Sequence, residues 1–215
     1  MGKVQAFERN CLYYVATYNG GKLCIIASID TTSFFQSKLL GFHGDDGAMF
    51  TSNLDLVKVL RQFARHGQEK RTPSMRVGVN SGAVNLQTAI LLSKLEILDD
   101  EFFVRQRISS VYDEELDVQS VVRPPLSSYD ITSAWEQYTA RVQNRHVAKE
   151  ALKVVGIPTA VHYPLPLNRL PSVPHSSVTL SRRDKTVNAV MSLSIRGYTD
   201  LSVPKDVVEL FNCVA

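Results

Sequence analysis

Thr32-Ser33-Phe34-Phe35-Gln36-Ser37-Lys38, followed by Leu40-Gly41 and by Gly44-Asp45-Asp46-Gly47-Ala48, is the stretch on which the reading of this chain turns. Just ahead of it Leu23 to Ile29 is a short isoleucine-rich apolar run that suits a buried strand. The glycines from Gly41 to Gly47 predict a loop, and Ala48-Met49-Phe50-Thr51 predicts a second strand. A lone lysine in such a loop is normally solvated, and only the surroundings of Lys38 suggest another role.

Further along, Ser52 and Asp55 have capping-box spacing and predict a helix start. Leu56, Val57, Leu60, Phe63 and Ala64 share one face of the helix that follows, and Gly67 ends it as a C′ glycine. From Val84 to Leu116 apolar residues such as Leu86, Ile90, Ile97, Val104, Ile108 and Val111 recur at helical spacings without a proline. This predicts one long connecting helix, after which Pro124-Pro125 marks a loop. In the last third, strands are expected over Trp135–Val142 and Thr159–Tyr163. Helices are expected over Arg145–Val155, Arg182–Met191 and Pro204–Val214, the last with Pro204 at its first position. The organisation expected is an incomplete large domain over 1–80, a connecting helix over 81–120 and a small α+β domain over 121–215.

The bulk composition excludes several classes. A net charge of +3 over 215 residues is too weak to predict nucleic-acid binding. The basic run from Arg65 to Arg71 contains Glu69 and reads as a solvated loop. Cys11, Cys24 and Cys213 show neither pairing nor metal-ligand spacing, so they read as reduced thiols, with no metal expected. No apolar run nears the ~20 residues of a membrane helix. The expectation is a soluble cytoplasmic protein.

The quoted stretch resembles the DegT/DnrJ/StrS aminotransferases, whose pattern reads approximately S-F-F-x-S-K-x-L-G-x-x-G-D-G-G-A. The resemblance continues in Ala64-Arg65-His66-Gly67-Gln68, Val77-Gly78-Val79-Asn80-Ser81 and Leu86-Gln87-Thr88-Ala89-Ile90. It returns in Gly156 to Pro164 and in Met191-Ser192-Leu193. It implies an α/β fold of the fold-type-I pyridoxal-phosphate class, and a transferase of nucleotide-sugar biosynthesis for bacterial surface polysaccharide. Within that class, the wording is most similar to the branch acting on a UDP-linked 3-oxo-N-acetylglucosaminuronate, with glutamate as amino donor.

The resemblance implies a role for each matching residue. Lys38 is the catalytic lysine that condenses with the aldehyde of pyridoxal 5'-phosphate and then shuttles a proton. Ser33 binds the cofactor phosphate, as a hydroxyl can, and Asn80 reaches the phosphate in a neighbouring subunit, so a homodimer is implied. His162 and Tyr163 border the UDP-sugar. Read without the family, Ser33 is a turn serine, Asn80 lies before a helix start, and His162-Tyr163 is a strand end.

The chain departs from the pattern in several places. Family members are nearly twice as long, so it reads as their C-terminal half, working alone or beside a longer homologue. Counting back from Ala16-Thr17-Tyr18 puts Arg9 where the family has the aspartate that pairs with the pyridine nitrogen, and Leu12 where it has glutamine. Gly82 and Val84 stand for an arginine and an acid, Arg71-Thr72-Pro73 for an R-Y-H stretch, and Asp46 for a glycine. Ser194, Arg196 and Gly197 replace a Pro-x-His-Pro run. A second reading is therefore a non-catalytic binding or dimerisation module of the same ancestry. A serine hydrolase using Ser33 or Ser37 lacks the G-x-S-x-G elbow.

Overall fold

The computed structural model of the protein describes residues 7–9, 15–23, 26–41, 43–71, 73–125, 131–173 and 180–214. They form two compact units. The first spans Met1–Asp100 with Ser128–Ala134, and the second spans Glu101–Ser127 with Trp135–Ala215.

In the first unit β1 (Phe7–Arg9) pairs parallel with β4 (Ile29–Ser33), which pairs antiparallel with β5 (Gly47–Phe50). A second small sheet joins β2 (Thr17–Tyr18) to β3 (Gly21–Lys22) and to β7 (Ile131–Thr132). The expected strand over Leu23–Ile29 is displaced: β4 begins at Ile29 and runs through the hydroxyl residues to Ser33. Local apolarity marks a run suited to burial, but ladder pairing decides which residues form the strand. Cys24 and Ile25 lie outside the described residues.

Helix α1 covers Leu54–Ala64. Its cap is Asn53, not Ser52, because Asn53 Oδ1 accepts from Asp55 N at 2.9 Å and from Leu56 N at 3.2 Å. At its other end His66 takes the left-handed position (φ 57°), and Gly67 N donates to Gln62 O at 2.8 Å. Gly67 is itself left-handed at φ 75°. Val79 N then donates to Phe63 O and His66 N to Val79 O, pinning residues 76–81 against the end of α1.

Between Val84 and Leu116 there are two helices in place of one: α2 (Asn85–Glu96) and α3 (Leu98–Glu115). At Ile97 the amide turns back to Lys94 O at 3.3 Å, which tightens the chain and ends α2. Burial explains the restart. Leu98, Arg105, Ile108 and Tyr112 form a buried stripe on α3, whereas α2 buries no residue. Apolar spacing is common to both segments, but the direction each face must point is not.

The second unit holds a four-stranded antiparallel sheet in the order β6 (Val121–Val122), β8 (Tyr138–Val142), β10 (Val190–Leu193), β9 (Thr159–Ala160). Helices α4 (Arg145–Val154), α5 (Ser181–Ala189) and α6 (Ser202–Val214) complete it. Ile108, Tyr112 and Leu116 of α3, Ala148 and Leu152 of α4, and Val207, Val208 and Phe211 of α6 join Tyr138, Ala140, Val142, Met191 and Leu193 in one core. Each fully buried large apolar side chain stabilises by about 1.5–3 kcal/mol relative to exposure.

Four boundaries differ from expectation here. The strand expected over Thr159–Tyr163 stops at Ala160, because only Thr159 and Ala160 pair with β10. Trp135 has φ 48°, and its carbonyl accepts from buried Arg105 at 3.1 Å, so β8 starts only at Tyr138. The segment expected as helix through Met191 leaves the helix at Ala189, because Val190–Leu193 is bonded on both sides as β10. Pro204 is the third residue of α6, still in the first turn, where its missing N–H has no intrahelical partner to lose.

The core also carries a half-buried polar link at its edge. Tyr138 lies against Tyr112 and Trp135, with ring centroids 4.9 and 5.4 Å away, and its hydroxyl donates to Asp113 Oδ1 at 2.6 Å. Burial pushes the Asp113 carboxyl above its ordinary range, while the Tyr138 bond and the Arg123 charge pull it partly back. A raised folded value means that this carboxyl favours the native state at low pH and loses that contribution as pH rises through the folded value. Tyr138→Phe removes the donor that favours the carboxylate, so the Asp113 value rises further. The variant is expected to cost about 1–2 kcal/mol near pH 7, and less at pH 3, below the ordinary value of 3.8, where the carboxyl is mostly protonated even in the unfolded chain. Denaturant unfolding at the two pH values checks it, and an equal cost at both would contradict it.

Among the described residues no helix is long and apolar enough to cross a membrane.

Candidate active site

Ser33 is the last residue of β4, and Lys38 follows in the turn that leaves it. Phe34 N donates to Asp46 O at 2.8 Å, which ties the strand exit to the returning loop. Lys38 N donates to Phe35 O at 2.8 Å and closes the turn. Ser33 Oγ accepts from Phe35 N at 3.2 Å, leaving its own hydrogen for another acceptor. Gly41 is buried, and a Cβ there would stand 2.7 Å from Gln36 O and 2.9 Å from Lys38 O. The missing side chain therefore lets the loop fold directly over the lysine's backbone.

The loop is held from α2. Gln87 Nε2 donates to His43 O at 2.8 Å, and His43 N donates to Gln87 Oε1 at 3.1 Å. Lys94 Nζ donates to Gly41 O at 2.7 Å. The sequence reading gave no role to either residue. The available signal was two polar side chains seven apart on the face shared with Ile90 and Leu91.

Asn80 is exposed, and its backbone forms a bridge with Arg65. It is not a cap: the residue at the cap of α2 is Val84, with no side-chain cap bond. Lys38, Ser33 and Asn80 belong to the first unit. His162 and Tyr163 belong to the second, just after β9, and both are exposed, Tyr163 at 79%. Leu12 lies outside the described residues, as does the Arg9 side chain.

A cavity of about 510 Å³ sits elsewhere in the first unit, between α1 and the β4–β5 pair, with Met49, Val57 and Leu60 in its wall. Neither Lys38, Ser33 nor Asn80 lines it. Asp30 does; it is 1% exposed, with Oδ2 accepting from Ala27 N at 3.1 Å and Oδ1 without a hydrogen-bond partner. Strand alternation puts Asp30 and Thr32 on one face of β4 and Ile29, Thr31 and Ser33 on the other. Asp30 therefore does not share a face with Ser33.

Chemically, the strand exit offers a primary amine suited to an aldehyde and, five residues before it, a hydroxyl suited to a phosphate oxygen. This donor set fits pyridoxal phosphate. Residues 11–211 match the DegT/DnrJ/EryC1/StrS aminotransferase family, and the chain belongs to that family. It is 44% identical over 185 residues to UDP-2-acetamido-2-deoxy-3-oxo-D-glucuronate aminotransferase of Pseudomonas aeruginosa, covering 86% of this chain and 51% of that protein. It is 28% identical over 183 residues to dTDP-3-amino-3,4,6-trideoxy-alpha-D-glucose transaminase of Streptomyces venezuelae, covering 84% and 48%. The crystal structure of a DegT/DnrJ/EryC1/StrS aminotransferase from Brucella abortus superposes with a TM-score of 0.90 at 29% identity, covering 97% of this chain and 57% of that one. The fold is thus the fold-type-I aminotransferase fold, and the chain spans about half the length of the curated relatives it matches.

Proposed function

We propose that this chain is part of an aminotransferase that moves an amino group from glutamate to a keto-sugar nucleotide, with pyridoxal 5'-phosphate held at Lys38. The observation that carries this is the placement of Lys38 at the exit of β4, five residues after Ser33, in a family-matching chain. The likeness to the Pseudomonas aeruginosa enzyme favours a UDP-linked 3-oxo-N-acetylglucosaminuronate as the substrate. The cytoplasm is the proposed place of reaction. When bound, the cofactor supplies an electron sink for the carbon that gains or loses the amino group.

In this reading the first unit is the cofactor-binding part and the second is the small domain. Lys38 supplies the amine that holds the cofactor and, when released, takes and returns a proton as general acid and base. Ser33 donates its hydroxyl hydrogen to the phosphate. Asn80 donates to the phosphate in a second subunit, and His162 and Tyr163 border the sugar nucleotide. A non-catalytic dimerisation module is the second reading, favoured by one observation: α2 buries no residue and exposes Leu86 and Leu92 at 72% and 59%.

Adding pyridoxal phosphate and then borohydride is expected to fix one cofactor mass on the Lys38 peptide, and none there in Lys38→Ala. Ser33→Ala is expected to weaken that binding roughly tenfold, the loss of one hydrogen bond to a charged group. Label spread evenly over surface lysines such as Lys58 and Lys70 would leave the second reading standing.

A further inference from the structure

We propose that α2 positions Lys38: Gln87 and Lys94 are positioning residues that hold the loop leaving the lysine. This rests on the reading of Lys38 as the cofactor lysine. Gln87 satisfies both backbone groups of His43, donating to its carbonyl and accepting from its amide, as a neighbouring strand would. Two turns along the same helix face, the Lys94 ammonium donates to the Gly41 carbonyl. Gly41 in turn lies so close to the Gln36 and Lys38 carbonyls that a Cβ would meet both within 3 Å. Upstream, Lys38 N is bonded to Phe35 O. The lysine backbone is therefore held on one side by its own turn and on the other by a loop whose two anchor points are side chains of α2.

The arrangement has a chemical purpose. A lysine that must both hold a cofactor and carry a proton needs its backbone fixed to well under an ångström, and the glycine-rich loop after it has little stiffness of its own. A helix is rigid, and side chains seven residues apart on it are about 10 Å apart along its axis. Bonds from both to Gly41 and His43 fix the loop at two points, which prevents it from pivoting about one.

Hydrogen exchange and reductive trapping of pyridoxal phosphate, both on the full chain, test this. Gln87→Leu is expected to speed exchange at the His43 amide roughly tenfold and to slow trapping at Lys38 severalfold, with Lys58 unaffected. Gln87→Glu keeps the acceptor for the His43 amide and is expected to restore part of both. Lys94→Met should loosen the Gly41 end independently, and Ser93→Ala, which loses only a bond to Ala89 O within α2, should change neither. Fast His43 exchange with wild-type trapping at Lys38 would overturn the proposal, as would no change in either measurement. A wild-type chain that takes no label at Lys38 would remove the cofactor reading instead; unchanged His43 exchange in Gln87→Leu would then still overturn the clamp.

Discussion

Gly67→Ala is expected to cost the first unit about 3 kcal/mol or more. Gly67 sits at φ 75°, where an alanine is strained, and its Cβ would lie 1.6 Å from Arg76 O. No rotamer relieves a clash between a Cβ and a backbone carbonyl, so the segment at 76–81 would have to leave the end of α1. Gly78 faces it across the same approach, with a Cβ 2.2 Å from Gly67 N and 2.7 Å from Phe63 O, and Gly78→Ala should behave alike. Gly82→Ala is the matched control, since nothing lies within 4 Å of its Cβ position. It is expected to change stability by under about 1 kcal/mol, in the stabilising direction. Denaturant unfolding followed by hydrogen exchange at Val79 and His66 separates the two cases. Equal stability of Gly67→Ala and Gly82→Ala would show that residues 76–81 do not pack as described.

The second large effect concerns association, and it follows from the proposed sharing of Asn80 between subunits. Around Asn80 the first unit exposes Met75 at 64%, Val77 at 91%, Val84 at 63%, Leu86 at 72% and Leu92 at 59%. Its own buried apolar residues, among those described, are Ala16, Ile29, Leu98 and Ala134, against the sixteen of the core cluster in the second unit. Apolar surface on that scale beside so thin an interior is the mark of an interface. The chain is therefore expected to self-associate at micromolar concentration through the segment from Met75 to Leu92. Val77→Glu or Leu92→Glu places a charge where about 1.5–3 kcal/mol of burial is lost per side chain, and twofold symmetry counts it twice. The dissociation constant should rise on the order of a hundredfold or more. Both side chains are exposed in the single chain, so neither variant should change its unfolding. Light scattering with unfolding controls checks this, and a monodisperse wild-type monomer would contradict it.

What the sequence determined by itself was local or recognisable as a pattern. The ordered blocks from Thr32 to Leu193 were enough to identify the family, because short strings of fixed residue types need no coordinates to be read. The helices at 54–64 and 145–154 were legible because each has one apolar face and a local stop. The tertiary structure decided everything that depends on a partner distant in the chain. Ladder pairing moved the first strand on to Ile29–Ser33 and made a central strand of Val190–Leu193. The direction of the buried stripe on α3 broke one expected helix into two at Ile97. The bonds from Gln87 and Lys94 to His43 and Gly41 join residues 44 and 53 positions apart. A glutamine and a lysine on a half-buried helix face look the same in sequence whether they meet water or a loop. Only folding brings the loop to them.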